Sequence, residues 1–203
     1  MNGKEAVWEK VETFRKHYLR GDLAHLPVDV FTLAEIDLKL DIIPFDDLFE
    51  KYDSDAALMH DFSGIYVDAE AYIIWEKGPL WKQRRLRFSV AHELGHFVLH
   101  REIAAKAVFK NFGEFAAWTK GYHGQQYTLE QAANEFAGRL LVPMDRLTVE
   151  LEKFKANLTK AIPNLNNIGH FRNAFADAME EVFEVNDQVI ETRLEREGIW
   201  PAS

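Results

Sequence analysis

The sequence predicts an α+β fold in which helices predominate over one small sheet. Three observations carry that expectation. The stretch "TLEQAANEFAGRLLVP" (128–143) sets Ala133, Phe136, Ala137, Leu140 and Leu141 on one stripe at helical spacing. The run "FSVAHELGHFVLH" (88–100) is apolar at Val90, Ala91, Phe97 and Val98, carries no proline, and reads as a second buried helix. "GIYVD" and "AYIIW" (64–68 and 71–75) are short β-rich runs close enough to pair as a hairpin.

The remaining elements follow along the chain. Residues 4–20 carry Val7, Val11, Phe14 and Leu19 near helical spacing. "HLPVDVFTLAEIDLKLDIIPF" reads as a proline-containing entry, a short helix around Thr32–Ala34 and an extended "LDIIPF". After the hairpin, "WKQRRLRF" (81–88) is expected as a solvated charged segment, with Ser89 capping the helix that follows. Residues 101–127 are mixed; Gly113, Gly121 and Gly124 mark loops around a short helix near "EFAAW". Thr128 caps the next helix and Pro143 ends it. "NLTKAIPNLNNIG" reads as a connector to a last helical segment over 171–198. The expected division is a main domain over 1–160 and a helical C-terminal segment over 161–203 packed against it.

Composition bounds the function. With 203 residues, 47% hydrophobic and 13% aromatic, the chain can bury a sizeable core. No apolar run approaches the roughly 20 residues that span a bilayer, and the charged, amphipathic N-terminus has no secretory apolar core. The absence of cysteine excludes disulfides and thiolate sites and suits a reducing compartment. A net charge of −9 argues against phosphate-backbone binding as the main activity. These features predict a soluble, cytoplasmic protein without a membrane partner.

The run His92-Glu93-Leu94-Gly95-His96 fits H-E-x-x-H. Four residues turn a helix by about 400°, so His92 and His96 share a face one turn apart and can converge on one cation. Glu93 then lies beside the open coordination position, where it can take a proton from water. Zinc suits such donors. His100 lies eight residues beyond His92, about 12 Å along the axis. It cannot share their metal, and is expected as a helix-end or surface histidine.

A third ligand is needed. An extended metzincin pattern would want glycine at position 99 and a ligand at 102, where the chain has Leu99 and Glu102. Glu102 is therefore expected to be carried away on a continuing helix. The second helix offers Glu130 and Glu135. Glu130 and Asn134 are four apart and share a face, so Glu130 can ligate while Asn134 holds a ligand imidazole. Glu135 is rotated by about 140° from Glu130 and is expected to face solvent.

"RFSVAHELGHFVLH" followed by "EQAANEFAGRLLVP" resembles the ImmA/IrrE family of metallo-endopeptidases, and the upstream "LPVDVFTLAE" and "GIYVDAEAYIIW" fit it too. The resemblance covers roughly residues 25–145. It implies a zincin-like α+β fold with a small, mainly antiparallel sheet beside the active-site helices, and Zn2+ as cofactor. Position by position, it implies His92, His96 and Glu130 as ligands and Glu93 as general base. Family members resemble gluzincins and characteristically act on DNA-binding repressors of mobile elements or stress responses. The implied partner is thus a protein substrate, a helix-turn-helix repressor among the candidates. Two departures stand out: Ala132 where many relatives carry a polar residue, and a long interval from His96 to Glu130.

The tail "MEEVFEVNDQVIETRLEREGIW" resembles the family's C-terminal helices, with Asn186 as an N-cap and Val189, Leu194 and Ile199 available for packing. Between 172 and 197, Arg172, Arg193 and Arg196 stand against eight acids, a balance of −5 that repels phosphate. Direct nucleic-acid binding is therefore not expected. The competing reading is a partner-binding regulator with a structural metal and little proteolysis, but such a site has no need of Glu93. Tyr122, His123, Tyr127, His170 and Arg172 are candidate oxyanion partners, none favoured by spacing.

Overall fold

The structure, a computed structural model, describes residues 3–19, 25–73, 77–121, 128–162 and 168–200. Helix α1 (Gly3–Tyr18) buries Val7, Val11 and Phe14 at the expected spacing. A short turn α2 (Val30–Thr32) begins where the Asp29 carboxylate accepts the Phe31 and Thr32 N–H groups, and it widens into a π-helical turn over Leu33–Asp37. There follow β1 (Asp41–Phe45), α3 (Leu48–Tyr52), β2 (Ala56–Leu58), β3 (Gly64–Asp68) and α4 (Ala69–Ile73). The long α5 (Leu80–Ala104) and α6 (Phe112–Lys120) precede α7 (Leu129–Leu141) and α8 (Met144–Ala161). A 3-10 turn at Gly169–Phe171 leads to α9 (Arg172–Phe183) and α10 (Asp187–Glu197). Among the described residues, no helix is long and apolar enough to cross a membrane.

The α+β class holds, and the sheet differs from its expected form. It is mixed, in the order β1-β3-β2, with β1 parallel and β2 antiparallel to β3. "GIYVD" is thus the central strand, and its expected hairpin partner is not a strand: Ala71–Ile73 lie in α4. The cause is Asp68, whose carboxylate accepts the Ala71 N–H at 3.0 Å and the Phe49 N–H at 3.1 Å. A carboxylate that satisfies the first free amides of a turn redirects the chain into helix, whatever the β propensity of the residues that follow. Ile74 and Trp75 lie outside the described residues.

The helix carrying the histidines starts nine residues before Ser89, after Pro79, whose carbonyl accepts the Lys82 N–H. The basic stretch is therefore its first turns and is not freely solvated. Arg84 pairs with Glu180, Arg85 with Asp55 and Arg87 with Glu184, and Arg87 is buried. Glu180 lies in α9 and Glu184 caps its C-terminal end, so the arginines hold α9 against α5.

Helix α7 is enclosed on several sides, which overturns the expectation for Glu135. Its side chain is buried and accepts from Trp8 Nε1 of α1 at 2.7 Å and from Arg139 Nε at 2.8 Å. Arg139 pairs with Glu197 at 2.7 Å, tying α10 to α7, and Arg193 pairs with the same carboxylate at 2.7 Å from within α10. Glu135 does turn away from Glu130, but what it meets there is α1 and α10, not water. The C-terminal region is two helices, broken where Glu184 adopts a left-handed backbone before Asn186 begins α10. Leu194 is fully buried, and Val189 and Ile199 pack at the core's edge. The expected connector is partly helical, since Asn157–Ala161 complete α8. Residues 163–167 lie outside the described residues.

Candidate metal centre

Helices α5 and α7 bring the predicted residues together. Thr128 and Gln131 form a reciprocal cap, Gln131 N–H to Thr128 Oγ1 at 3.2 Å and Thr128 N–H to Gln131 Oε1 at 3.0 Å. The cap fixes where α7 begins and so puts Glu130 in its first turn. Gly95 lets the helices close: a Cβ there would lie 3.0 Å from both the Cα and the carbonyl oxygen of Ala133. The close approach carries Glu130 over the face of α5 that bears the histidines.

The three donor atoms converge. His92 Nε2 lies 3.0 Å from His96 Nε2, and the Glu130 carboxylate oxygens lie 3.3 Å from His92 Nε2 and 3.6 Å from His96 Nε2. A tetrahedral metal with bonds of about 2.0–2.1 Å separates its ligands by about 3.3–3.4 Å. The observed edges bracket that value, so His92, His96 and Glu130 could hold one such ion. The electrostatics agree. Burial opposes ionisation of Glu130, but its hydrogen bonds to His92 and His96 outweigh burial and hold its carboxyl far below the usual range. Burial likewise opposes a charge on His92, while the bond to Glu130 and the charge of Glu93 lift its pKa. Both shifts describe a site that draws positive charge to one point.

The other face of each imidazole is held as well. His92 Nδ1 is 2.9 Å from Asn134 Oδ1, the arrangement expected from the one-turn spacing of Glu130 and Asn134. His96 Nδ1 is 3.0 Å from Nδ1 of His100. His100 is thus no surface residue: it is buried, and burial first and the neighbouring His96 second push its pKa down to about 3. The spacing that pairs His92 with His96 also pairs His96 with His100. That spacing is the signal in the sequence for the contact, although it puts His100 too far along the helix to reach the metal.

Glu93 points across to the sheet, its Oε2 accepting the Leu58 N–H of β2 at 2.8 Å. The cleft in front of the donors encloses about 360 Å³. His92, Glu93, His96 and Glu130 line one wall, Ala56 and Ala57 of β2 another, and Phe115, Thr119 and Lys120 of α6 a third. Glu102 is exposed on α5, and the Glu114 carboxylate accepts the Lys110 N–H, so neither joins the cluster. Of the oxyanion candidates, Tyr122, His123 and Tyr127 lie outside the described residues. His170 and Arg172 do not line the cleft, and Arg172 donates to the Glu191 carbonyl at 2.9 Å.

Two helical histidines and a carboxylate thus lie close enough to hold a metal ion, with Glu93 beside them. The family model for the IrrE N-terminal-like domain, Peptidase_M78, matches residues 60–195, which span α5, α7 and the C-terminal helices. No curated protein matches the chain. The match covers more than half of the sequence, and the chain belongs to the Peptidase_M78 family of IrrE N-terminal-like domains.

Proposed function

We propose that the protein is a zinc-dependent endopeptidase, with His92, His96 and Glu130 as metal ligands and Glu93 as general base. The observation that carries this reading is the set of ligand edges at 3.0, 3.3 and 3.6 Å opening onto a cleft beside Glu93. Zinc would supply Lewis acidity, lowering the pKa of water to about 7. Glu93 accepts a proton from the attacking water and delivers it to the departing amine. Asn134 fixes the ring of His92: an Nδ1 proton given to its amide oxygen would leave the Nε2 lone pair available to the metal.

The substrate is a protein, and the family resemblance favours a DNA-binding repressor. An extended segment of it lies along β2, a different edge from the hairpin expected from sequence, because β3 is paired on both sides. The Asp68 N–H to Asp55 carbonyl and Met59 N–H to Gly64 carbonyl bonds turn the odd-numbered residues of this segment toward β3. Antiparallel alternation then turns the backbone groups of Ala56 and Leu58 outward, as the Leu58 N–H bond to Glu93 illustrates. The test is incubation of the zinc-loaded protein, and of Glu93→Gln, with the repressor-like protein encoded nearest to it. Cleavage by the wild type alone supports the reading. Zinc binding without cleavage of any protein substrate would leave the structural-metal regulator in its place.

A further inference from the structure

We propose that His100 is a positioning residue for the metal centre, holding His96 through an imidazole–imidazole hydrogen bond as Asn134 holds His92. The inference rests on the zinc reading above and adds a residue to it. Two imidazole nitrogens 3.0 Å apart with no cation to share, as His96 Nδ1 and His100 Nδ1 are, require one donor and one acceptor. A neutral imidazole that gives its Nε2 lone pair to a metal keeps its proton on Nδ1. His96 is therefore the donor, and His100 offers the Nδ1 lone pair with its own proton on Nε2.

The consequence is a pair of ligands supported in the same way. Each turns Nε2 into the donor cluster, and each has Nδ1 beside an uncharged group that would take its proton, the Asn134 amide oxygen from α7 and the His100 ring from α5 itself. Ligating histidines more often donate to a carboxylate, a backbone carbonyl or water. A neutral acceptor fixes the ring without adding negative charge, so the three ligands carry only the charge of Glu130. His100 is only 3% exposed, so water does not compete for the bond.

The decisive comparison is between His100→Asn and His100→Leu. Asparagine and leucine are close in size, and the asparagine Oδ1 takes the place of His Nδ1, whereas leucine has no acceptor. Zinc affinity is read by competition with a chelating indicator, the ligand field from the visible spectrum of the cobalt-substituted protein, and apo stability by thermal melting. Zinc affinity should fall about 10–100-fold in His100→Leu, with an altered cobalt spectrum, and stay near wild type in His100→Asn. Apo stability should run the other way or be equal, because a buried amide without a partner costs more than an apolar group. A residue that merely fills space would favour leucine in both measurements. Wild-type zinc affinity in His100→Leu, or equal losses in both variants, would overturn the proposal while leaving the metallopeptidase reading standing. A wild type that binds no zinc would remove both.

Discussion

Glu93 of α5 and Leu58 of β2 are joined by one hydrogen bond, 2.8 Å from the Leu58 N–H to Oε2. It sets the proposed base against the strand along which a peptide would lie. A substrate segment adding to β2 therefore meets Glu93 at the same place where it meets the metal ligands.

Glu93→Gln should fold, keep its metal and lose peptidase activity. The amide has the same size and an oxygen that can still accept from Leu58, but it cannot take a proton from water. General base catalysis contributes about 10²–10⁴-fold, which sets the expected loss in turnover. The check is metal content by elemental analysis beside cleavage rate. Cleavage at the wild-type rate would remove Glu93 from the mechanism.

The two glutamates of α7 should separate cleanly. Glu130→Ala removes a donor from the cluster and should abolish tight metal binding with little change in the apo fold. Asn134→Ala should weaken binding about 10–100-fold. Glu135→Ala should do the reverse of Glu130→Ala, sparing the metal and destabilising the fold. It leaves Arg139 and Arg193 buried beside fewer carboxylates, and breaking a buried pair costs about 3–5 kcal/mol. Metal titration and denaturant melts of the three variants decide it. Metal loss in Glu135→Ala at unchanged stability would mean that α7 is rotated from this register.

What could be read from the sequence was whatever depends on local spacing. His92, His96, Glu130 and Asn134 are one-turn relations on two helices, and helical geometry alone brings each pair to one face. The fates of Glu135 and His100 depend on what packs against those faces, and no local period specifies that α1 and α10 enclose α7. Strand pairing failed for the same reason. "AYIIW" has β-rich composition, but the Asp68 carboxylate turns its first three residues into helix, and β3 finds its partners in "DIIPF" and "AAL". The basic run before Ser89 carries the pattern of a solvated segment, yet it forms the first turns of α5. The acidic partners of its arginines lie some 30 to 97 positions away in the chain and could not be matched without the fold.

Acid should loosen the α1–α7–α10 junction. Burial raises the pKa of Glu135, but its bond to Arg139 and the charges of Arg139 and Arg193 bring it below the ordinary value in the folded state. The unfolded chain then binds the proton more readily, so this contribution is complete above the ordinary carboxyl pKa of about 4.3. It is lost as pH falls from there through the lowered folded value. Denaturant midpoints between pH 7 and pH 3 should fall less steeply in Glu135→Gln than in the wild type. Parallel slopes would show that Glu135 is not linked to folding in this range.

Gly95→Ala tests whether helix contact sets the metal geometry. The added methyl would stand 3.0 Å from Ala133 Cα and carbonyl oxygen and 3.1 Å from Phe136 Cβ. Two of those contacts are with backbone, which cannot swing aside as a long side chain can, so the helices themselves must part. In a helix interior alanine is intrinsically better than glycine by about 1 kcal/mol, while overpacking costs about 1–3 kcal/mol. The net effect on stability is thus a modest loss. The effect on the site should be larger, since Ala133 lies between Glu130 and Asn134 in sequence and moves with them. Glu130 would draw back from His92 and His96, and Asn134 from His92. Zinc affinity should therefore fall by more than the change in apo melting temperature accounts for, and a larger substitution, Gly95→Val, should deepen the loss. Unchanged zinc affinity in Gly95→Ala would mean that α7 can follow the displacement without carrying Glu130 away from the donors on α5.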